Sequence, residues 1–280
     1  MPDGAPGTGP NEPDRGGWER APSTRTFSDV NEPTRRFRLL IHYNGSTFHG
    51  WQVQPEVATV QGEIESVLER ISGARRVVHG SGRTDTGVHA IGQVAAVDMP
   101  ADWSARKLRR ALNGLLAPGI WVEEVSECDP DFHPRFDAVQ RTYHYRLGLD
   151  ARAASPFHSP FCWPLRTAPD LELVRDSARV LLGEHSFLAF AKTGQPERGD
   201  RCTVHDIQWA RWEMGTEFRI TADRYLHHMV RYLTGTLVEI GQGARPASDL
   251  ERLLEDPGGD LVTSPPAPPE GLFLARVRYV

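Results

Sequence analysis

Residues 76–99 read "RVVHGSGRTDTGVHAIGQVAAVDM", two apolar stretches on either side of a polar, glycine-rich loop. The runs at 76–79 and 93–99 predict two strands, because each is short, apolar and bounded by turn residues. Three glycines and three hydroxyl side chains in the loop surround a single carboxylate, Asp85. Since glycine tolerates positive φ, we expect the loop to turn sharply and to present Asp85 at the end of a strand.

The surrounding pattern predicts a compact α+β unit. In chain order its elements are a strand at 36–43, a helix at 59–73, the two strands above, a helix at 104–116 and a strand at 119–125. Thr59 and Ser104 are expected to cap the starts of the two helices, and Gly73 to end the first. The order β-α-β-β-α-β is the ferredoxin-like arrangement.

The second half of the chain repeats this pattern. Its predicted elements are a strand at 141–149, a helix at 170–183, a hairpin of 204–214 and 217–223, helices at 225–241 and 247–256, and a strand at 272–280. We therefore predict an α+β fold of two ferredoxin-like units, with antiparallel sheets joined around a central cleft. The predicted domains are 34–137 and 138–280, and residues 1–33, rich in Pro, Gly and charge, are expected to form a disordered tail.

Composition narrows the class of protein. No apolar run of the 280-residue chain approaches the roughly 20 residues of a membrane span, so we expect a soluble protein without a membrane partner. Three cysteines without a CxxC motif fit the reducing cytoplasm. The net charge of −5 argues against a polyanionic partner, but basic clusters such as "ARKLRR" (105–110) leave a locally positive groove open.

Several chemistries compete for the loop around Asp85. Arg83, or another nearby cation, would keep the carboxylate ionised, and an ionised, oriented carboxylate serves as a nucleophile or a base. The alternatives are an Asx turn without chemistry, a phosphate-binding P-loop, whose spacing does not match, and a DTG aspartic protease, which would need a homodimer to pair two carboxylates. A lone catalytic aspartate acting on a nucleotide is the remaining interpretation.

The motif "GRTDTGVHA" (82–90) resembles the signature of the TruA-type pseudouridine synthases. Four further segments resemble motifs of that family in the same order, at 43–55, 131–147, 227–243 and 268–279. The resemblance implies a cytoplasmic, homodimeric enzyme that isomerises uridine to pseudouridine in the anticodon stem-loop of tRNA. It also implies that neither a cofactor nor a metal takes part, since the reaction involves no redox change and no hydrolysis.

The resemblance assigns roles to single residues. Asp85 matches the essential aspartate, Tyr143 the active-site tyrosine, and Arg231 an arginine that pairs with the aspartate. Arg83 matches an arginine implicated in extruding the target base, a step that costs a few kcal/mol. The carboxylate is able to attack the sugar, deprotonate C2′ or add to the pyrimidine, and the sequence leaves these three routes open.

Further residues are predicted to contact RNA without reading its sequence, namely Lys107, Arg109, Arg110, Arg141 and His228. His227 and His228 stand next to each other in a predicted helix, where neighbouring side chains point about 100° apart, so we do not interpret them as metal ligands. A non-catalytic RNA-binding module is the rival interpretation, because such modules share paired β-α-β-β-α-β units. The predicted strands flanking Asp85, however, lack the aromatic residues with which those modules stack bases.

Overall fold

The computed structural model describes residues 33–192 and 199–280, so all but the last residue of the predicted tail at 1–33 lies outside the described residues. Within these ranges the fold is mixed α+β. Its strands are β1 (Thr34–Tyr43), β2 (His79–Gly80), β3 (His89–Pro100), β4 (Ile120–Glu127), β5 (Ala138–Gly148), β6 (Trp163–Pro164), β7 (Gly183–Ser186), β8 (Arg201–Trp212), β9 (Gly215–Ala222) and β10 (Leu272–Tyr279). The α-helices are α1 (Val60–Ser72), α2 (Ala105–Leu115), α3 (Leu171–Ala178), α4 (Met229–Gly241) and α5 (Ser248–Glu255).

All ten strands belong to one sheet. Its order is β4-β1-β3-β10-β5-β9-β8-β7, with β2 paired to β3 and β6 paired to β5. The two halves of the chain meet where β10 runs parallel to β3, through the residue pairs Phe273–His89 and Leu274–Ala90. The last strand of the sequence therefore lies in the middle of the sheet.

The three predicted caps of α1 and α2 are confirmed. The Thr59 side chain accepts a hydrogen bond from the backbone N–H of Gly62, and Gly73 ends α1 in the left-handed conformation with φ 75°. Ser104 accepts a hydrogen bond from the N–H of Lys107 at the start of α2. Each cap satisfies a backbone group that the helix itself leaves without a partner.

The predicted strand at 76–79 is mostly wrong, because only its last residue belongs to β2. Side chains of α1 occupy the backbone groups that a neighbouring strand would pair. The N–H of Val78 donates to Glu65 Oε1 at 3.0 Å, and Gln61 Nε2 donates to the carbonyl of Val78 at 3.1 Å. Both side chains are buried, so this segment is fixed against a helix rather than within the sheet.

The predicted helix at 225–241 begins four residues late, at Met229. His228 precedes it with φ 64°, a left-handed conformation that is uncommon for a residue with a side chain. His227 and His228 therefore lie in the turn before α4, and the helical spacing of 100° does not apply to them.

Two hydrophobic cores flank the centre of the sheet. One is built mainly from β1, β3, α1 and α2, and the other mainly from β5, β9, α3, α4 and α5. The strand β10 contributes to both, with Leu272 in the second core and Leu274 in the first. Val88, three residues after Asp85, packs into the second core and so fixes the loop to the other half of the chain. Among the described helices, none has the length and apolarity that crossing a membrane requires.

A buried carboxylate gives this sheet a testable dependence on pH. Glu217 is 4% exposed and lies 3.2 Å from His144 Nδ1, 3.0 Å from Arg146 Nε and 2.8 Å from Arg219 Nε. Burial alone would raise the pKa of Glu217, but the hydrogen bonds from these three side chains lower it to about 2. Because the folded pKa lies below the ordinary value of 4.5, this stabilisation is present above pH 4.5 and is lost as the pH falls towards 2.

We expect Glu217→Gln to lower the free energy of unfolding by about 3 kcal/mol at pH 7. The substitution removes the buried negative charge that His144, Arg146 and Arg219 surround, and so leaves these side chains without their ionic partner. Urea unfolding measures the change, and the variant should show less loss of stability than the parent between pH 4.5 and 2. Glu184→Gln is the matched control, since Glu184 pairs with Arg201 at the surface, and should change stability by less than about 1 kcal/mol. Equal stability of the two variants would contradict the prediction.

Candidate active site

The side chains that were predicted from the sequence to form the active site line one cleft. It has a volume of about 1260 Å³ and is lined by the β2–β3 loop, by β5 and by the start of α4. Asp85, Tyr143 and Arg231 all line it, although the first and the last lie 146 positions apart in sequence. Arg83 and His228 line the same cleft.

The loop that carries Asp85 is fixed by buried hydrogen bonds. Tyr43 Oη and Thr84 Oγ1 are 2.7 Å apart, and the N–H of Trp51 donates to the Thr84 carbonyl at 3.0 Å. On the other side, Gln93 Nε2 donates to the Gly82 carbonyl at 2.9 Å. The residue before Asp85 is thus fixed through both its side chain and its backbone, which fixes the direction of the carboxylate.

The glycines of this loop serve different purposes, and the expected positive φ is found only at Gly87, where φ is 82°. Gly80 is required for space, since a Cβ there would lie 2.6 Å from the indole ring of Trp51. Gly50 approaches the loop equally closely from outside, and a Cβ on it would lie 2.6 Å from the Thr84 carbonyl oxygen. Gly80 and Gly50 are thus required for space and Gly87 for its backbone conformation, whereas a Cβ at Gly82 would have no neighbour within 4 Å among the described residues.

Two histidines, rather than Arg231, contact the Asp85 carboxylate. His227 Nε2 lies 3.0 Å from Oδ1 and His228 Nε2 lies 3.2 Å from Oδ2, while the Asp85 side chain stays 30% exposed. Arg231 Nε instead donates to the Ala267 carbonyl at 2.7 Å. Within residues 33–192 and 199–280, the predicted Asp85–Arg231 ion pair is absent. The left-handed turn at His228 brings both imidazoles to the carboxylate.

The surroundings of His228 favour the neutral form of its imidazole. Burial lowers the pKa of His228, Asp85 raises it, and Arg231 and His227 lower it further. A neutral imidazole is able to donate its N–H to Asp85 without cancelling the charge of the carboxylate. The ligand atoms of Asp85, His227 and His228 all lie within 4.8 Å of one another, so this group is also able to hold a cation.

Tyr143 reaches the cleft from β5 and packs edge-on against Tyr225, with ring centroids 4.9 Å apart. Burial raises the pKa of Tyr143 to about 12, against a smaller lowering by Arg141, and Asp85 raises it slightly. The side chain is therefore a neutral phenol at physiological pH. Its hydroxyl makes no hydrogen bond to any described residue, which leaves it available to a bound molecule.

The predicted RNA contacts at the cleft differ in what their side chains do. Arg83 is exposed at the cleft. Arg141 also lines the cleft, but its guanidinium donates to the carbonyls of Asp223 at 3.1 Å, Ser81 at 3.0 Å and Arg135 at 2.9 Å. These bonds give Arg141 a structural role, linking the Asp85 loop to the turn after β9.

The remaining predicted contacts lie on α2, outside the described lining of the cleft. Arg109 and Arg110 line a separate surface pocket of about 590 Å³. Lys107 lies with its ammonium group 4.2 Å from the centroid of the Trp103 ring and also pairs with Asp102. The exposed side of α2 therefore presents a second group of basic side chains, and Glu123 and Glu124 of β4 line the pocket beside Arg109 and Arg110.

The charge of the cleft is opposite to that of the chain. Two aspartates of the described chain line it, Asp85 and Asp223, whereas the chain as a whole has a net charge of −5. Six lysine and arginine side chains line the same cleft, namely Arg83, Arg135, Arg141, Lys192, Arg224 and Arg231. The locally positive groove that the sequence left open is thus present, and a polyanion is compatible with it.

The sequence comparisons with known proteins all indicate the same family. The sequence model described as "tRNA pseudouridine synthase" matches residues 39–137 and 177–280. A protein of Geobacter sp. named tRNA pseudouridine synthase A is 36% identical over 245 residues, covering 88% of this chain and 99% of that protein. Proteins of the same name from Solibacter usitatus and Paramagnetospirillum magneticum are each 39% identical, covering 88% and 87% of this chain and 100% and 95% of their own lengths. The chain therefore belongs to the tRNA pseudouridine synthase family.

Proposed function

We propose that this chain isomerises uridine to pseudouridine in the anticodon stem-loop of tRNA, with Asp85, Tyr143 and Arg231 as its catalytic residues. Membership of the tRNA pseudouridine synthase family makes it an isomerase that acts on tRNA. The observation that carries the assignment of residues is the oriented, partly exposed carboxylate of Asp85 in a cleft that six cationic side chains line. A carboxylate weakens phosphate binding, and its presence in such a cleft favours chemistry over binding alone.

The reaction rearranges bonds within one nucleotide. The N1–C1′ glycosidic bond breaks, the uracil rotates, and C5 bonds to C1′. The C5 proton leaves to solvent and N1 takes up a proton, so substrate and product are isomers. Attack on the sugar, deprotonation of C2′ and addition to the pyrimidine all require the ionised form of Asp85. Hydrogen bonds from His227 and His228 orient the carboxylate while one side remains exposed to a nucleotide.

Tyr143 and Arg231 offer further groups that could contact the nucleotide beside Asp85. The neutral phenol of Tyr143 offers a ring for the extruded uracil and a hydroxyl for the movement of the C5 proton. Among the described residues, only Nε of Arg231 has an acceptor, so its terminal N–H groups remain for a phosphate or for Asp85 once a substrate displaces the histidines.

The finer architecture is also proposed. Two ferredoxin-like units, at 34–137 and 138–280, are supported by the strand order β4-β1-β3-β2 in the first half and by the two separate cores. The cytoplasm is supported by the free thiols of Cys128, Cys162 and Cys202. A homodimer rests on the family resemblance. The DTG protease alternative is weakened because Asp85 pairs with two histidines rather than with a second carboxylate.

Mapping pseudouridine in unmodified tRNA transcripts incubated with the purified protein tests the proposed function. We expect new pseudouridines in the anticodon stem-loop, and none in matched transcripts that carry cytidine at the same positions. Pseudouridine elsewhere in the tRNA would contradict the proposed target. A complete lack of pseudouridine would contradict the enzymatic activity and favour the RNA-binding module.

The basic side chains of α2 lead to a separate prediction about tRNA binding. Arg110 is exposed, and we expect Arg110→Ala to weaken tRNA binding roughly 3- to 10-fold and to reduce the slope of log K against log salt by about 1. Filter binding over a series of salt concentrations measures both. Arg179→Ala, an exposed arginine paired with Asp176, is the control and should leave the slope unchanged. An unchanged slope for Arg110→Ala would remove this residue from the RNA footprint.

A further inference from the structure

Three aromatic side chains form an array in the cleft, apart from Asp85 and Tyr143. The rings of His79 and His133 have centroids 5.6 Å apart, and those of His133 and Phe136 are 4.2 Å apart with planes inclined by 36°. Phe136 is 57% exposed, and all three residues line the cleft. We call His79, His133 and Phe136 the aromatic platform. The proposed chemistry at Asp85 leaves it without a role.

The turn that carries His133 and Phe136 is held in place. The N–H of His133 donates to Asp137 Oδ2 at 2.8 Å, which closes the turn on itself. The carbonyl of Pro134 accepts from the Tyr279 hydroxyl at 2.8 Å, and that of Arg135 accepts from the Arg141 guanidinium at 2.9 Å. Phe136 therefore projects from backbone anchored to β5 and β10, and little conformational entropy remains to be lost when a flat molecule binds to it.

The charge of the side chains around Phe136 is suitable for binding a nucleic-acid base together with its phosphate. His133 Nδ1 accepts the N–H of Arg135 at 3.1 Å, which requires an unprotonated Nδ1, and burial lowers the pKa of His133. His133 and Phe136 thus present neutral rings. The Arg135 guanidinium lies 5.8 Å from the centroid of the Phe136 ring, where it is able to meet the phosphate of a base stacked on that ring.

The cleft has room for this second base. Its volume of about 1260 Å³ exceeds the roughly 300–1,000 Å³ of pockets that enclose one small ligand. Val77 and Val139, 51% and 38% exposed, also line the cleft and extend its apolar surface. An RNA strand that delivers one nucleotide to Asp85 therefore has space for a neighbour in the same cleft.

We propose that the aromatic platform stacks an unpaired nucleobase adjacent in the tRNA chain to the target uridine. This inference rests on the proposed tRNA substrate and adds a second base-binding site to it. Stacking tolerates any base, since every base has a π-face, so the platform supports binding without selecting sequence. Holding the neighbouring base also keeps the strand open while the target uridine is extruded.

Equilibrium binding of an anticodon stem-loop RNA to full-length protein tests the platform, with Asp85→Asn present in every variant to prevent turnover. We expect Phe136→Leu to raise Kd roughly 5- to 150-fold, the range for loss of one base–aromatic stack. Phe136→Trp should keep Kd within about threefold of the parent, because it restores a ring. Phe157→Leu is the control, since Phe157 is 84% exposed and does not line the described cleft, and it should leave Kd unchanged.

A second measurement identifies the bound group as a base. Stem-loops with a single abasic nucleotide on either side of the target uridine should bind the protein that retains Phe136 more weakly, at one of the two positions. The same abasic RNA should cause no further loss in Phe136→Leu, because the stack is already absent. Phe136→Leu could lower the midpoint of thermal unfolding and weaken binding for that reason alone. Phe136→Trp, and the comparison of abasic with normal RNA in both proteins, separate that effect from the loss of the stack.

The proposal is overturned if Phe136→Leu binds RNA as tightly as Phe157→Leu, or if abasic substitution weakens binding equally in Phe136→Leu and in the protein that retains Phe136. Failure of the proposed function has a different signature, because then the unmodified chain forms no pseudouridine in tRNA. A chain that forms pseudouridine but shows no effect of Phe136→Leu loses only the platform.

Discussion

Asp85→Asn is expected to abolish pseudouridine formation, lowering the single-turnover rate by roughly 10⁴-fold or more, while Kd for tRNA changes by less than about threefold. The amide has the volume of the carboxylate but lacks its charge and basicity, so none of the three open routes is available to it. Affinity should persist because the six lysine and arginine side chains of the cleft are untouched.

Tritium release from tRNA labelled at C5 of uridine measures the turnover, and filter binding measures the affinity. Asp206→Asn serves as the control, since Asp206 is an exposed carboxylate on β8 outside the described cleft lining, and it should keep the parental rate. Substantial release by Asp85→Asn would remove the carboxylate from the reaction. A loss of rate accompanied by an equal loss of affinity would assign Asp85 to binding instead.

Tyr143→Phe should lower the single-turnover rate roughly 10²- to 10⁴-fold, the contribution of a positioned proton donor or acceptor, with little change in Kd. The ring that is proposed to stack on the uracil remains, and only the hydroxyl is lost. Because burial raises the pKa of Tyr143 to about 12, that hydroxyl is protonated at neutral pH and is able to exchange a proton with the substrate. Stability should be unaffected, since no described residue accepts a hydrogen bond from it.

The neighbouring tyrosine on the same strand is the matched control. Tyr145 is fully buried, and its hydroxyl donates to the Pro268 carbonyl at 2.6 Å. Tyr145→Phe should therefore lower the free energy of unfolding by about 1 kcal/mol and leave the rate unchanged. If the two variants show the reverse pattern, or if Tyr143→Phe retains the parental rate, the phenol has no chemical role.

Local signals predicted much of the fold. Thr59 and Ser104 cap the starts of α1 and α2, and Gly73 ends α1, as predicted, because caps are satisfied by residues within four positions of one another. The strand predicted at 76–79 failed because two side chains of α1 bind its backbone, an interaction between distant residues. The edge strand β7 was not predicted, since its four residues lie where the helical pattern of 170–183 ends.

The sequence predicted side chains that share one cleft, but it did not predict the contacts that they make there. The motif resemblance identified Asp85, Tyr143 and Arg231, and all three line one cleft. The contacts of Asp85 with His227 and His228 depend on a left-handed residue that is not glycine, and no propensity in the sequence signals such a residue. The charge of the cleft was equally hidden, because its cations come from both halves of the chain.

The position of β10 has a consequence for biosynthesis. This strand is the last of the ten to leave the ribosome, yet it lies between β3 and β5 and carries side chains into both cores. A nascent chain that lacks it holds two partial sheets with no shared neighbour between them. The cleft lined by Asp85, Tyr143 and Arg231 therefore reaches its final form only once β10 has joined β3 to β5.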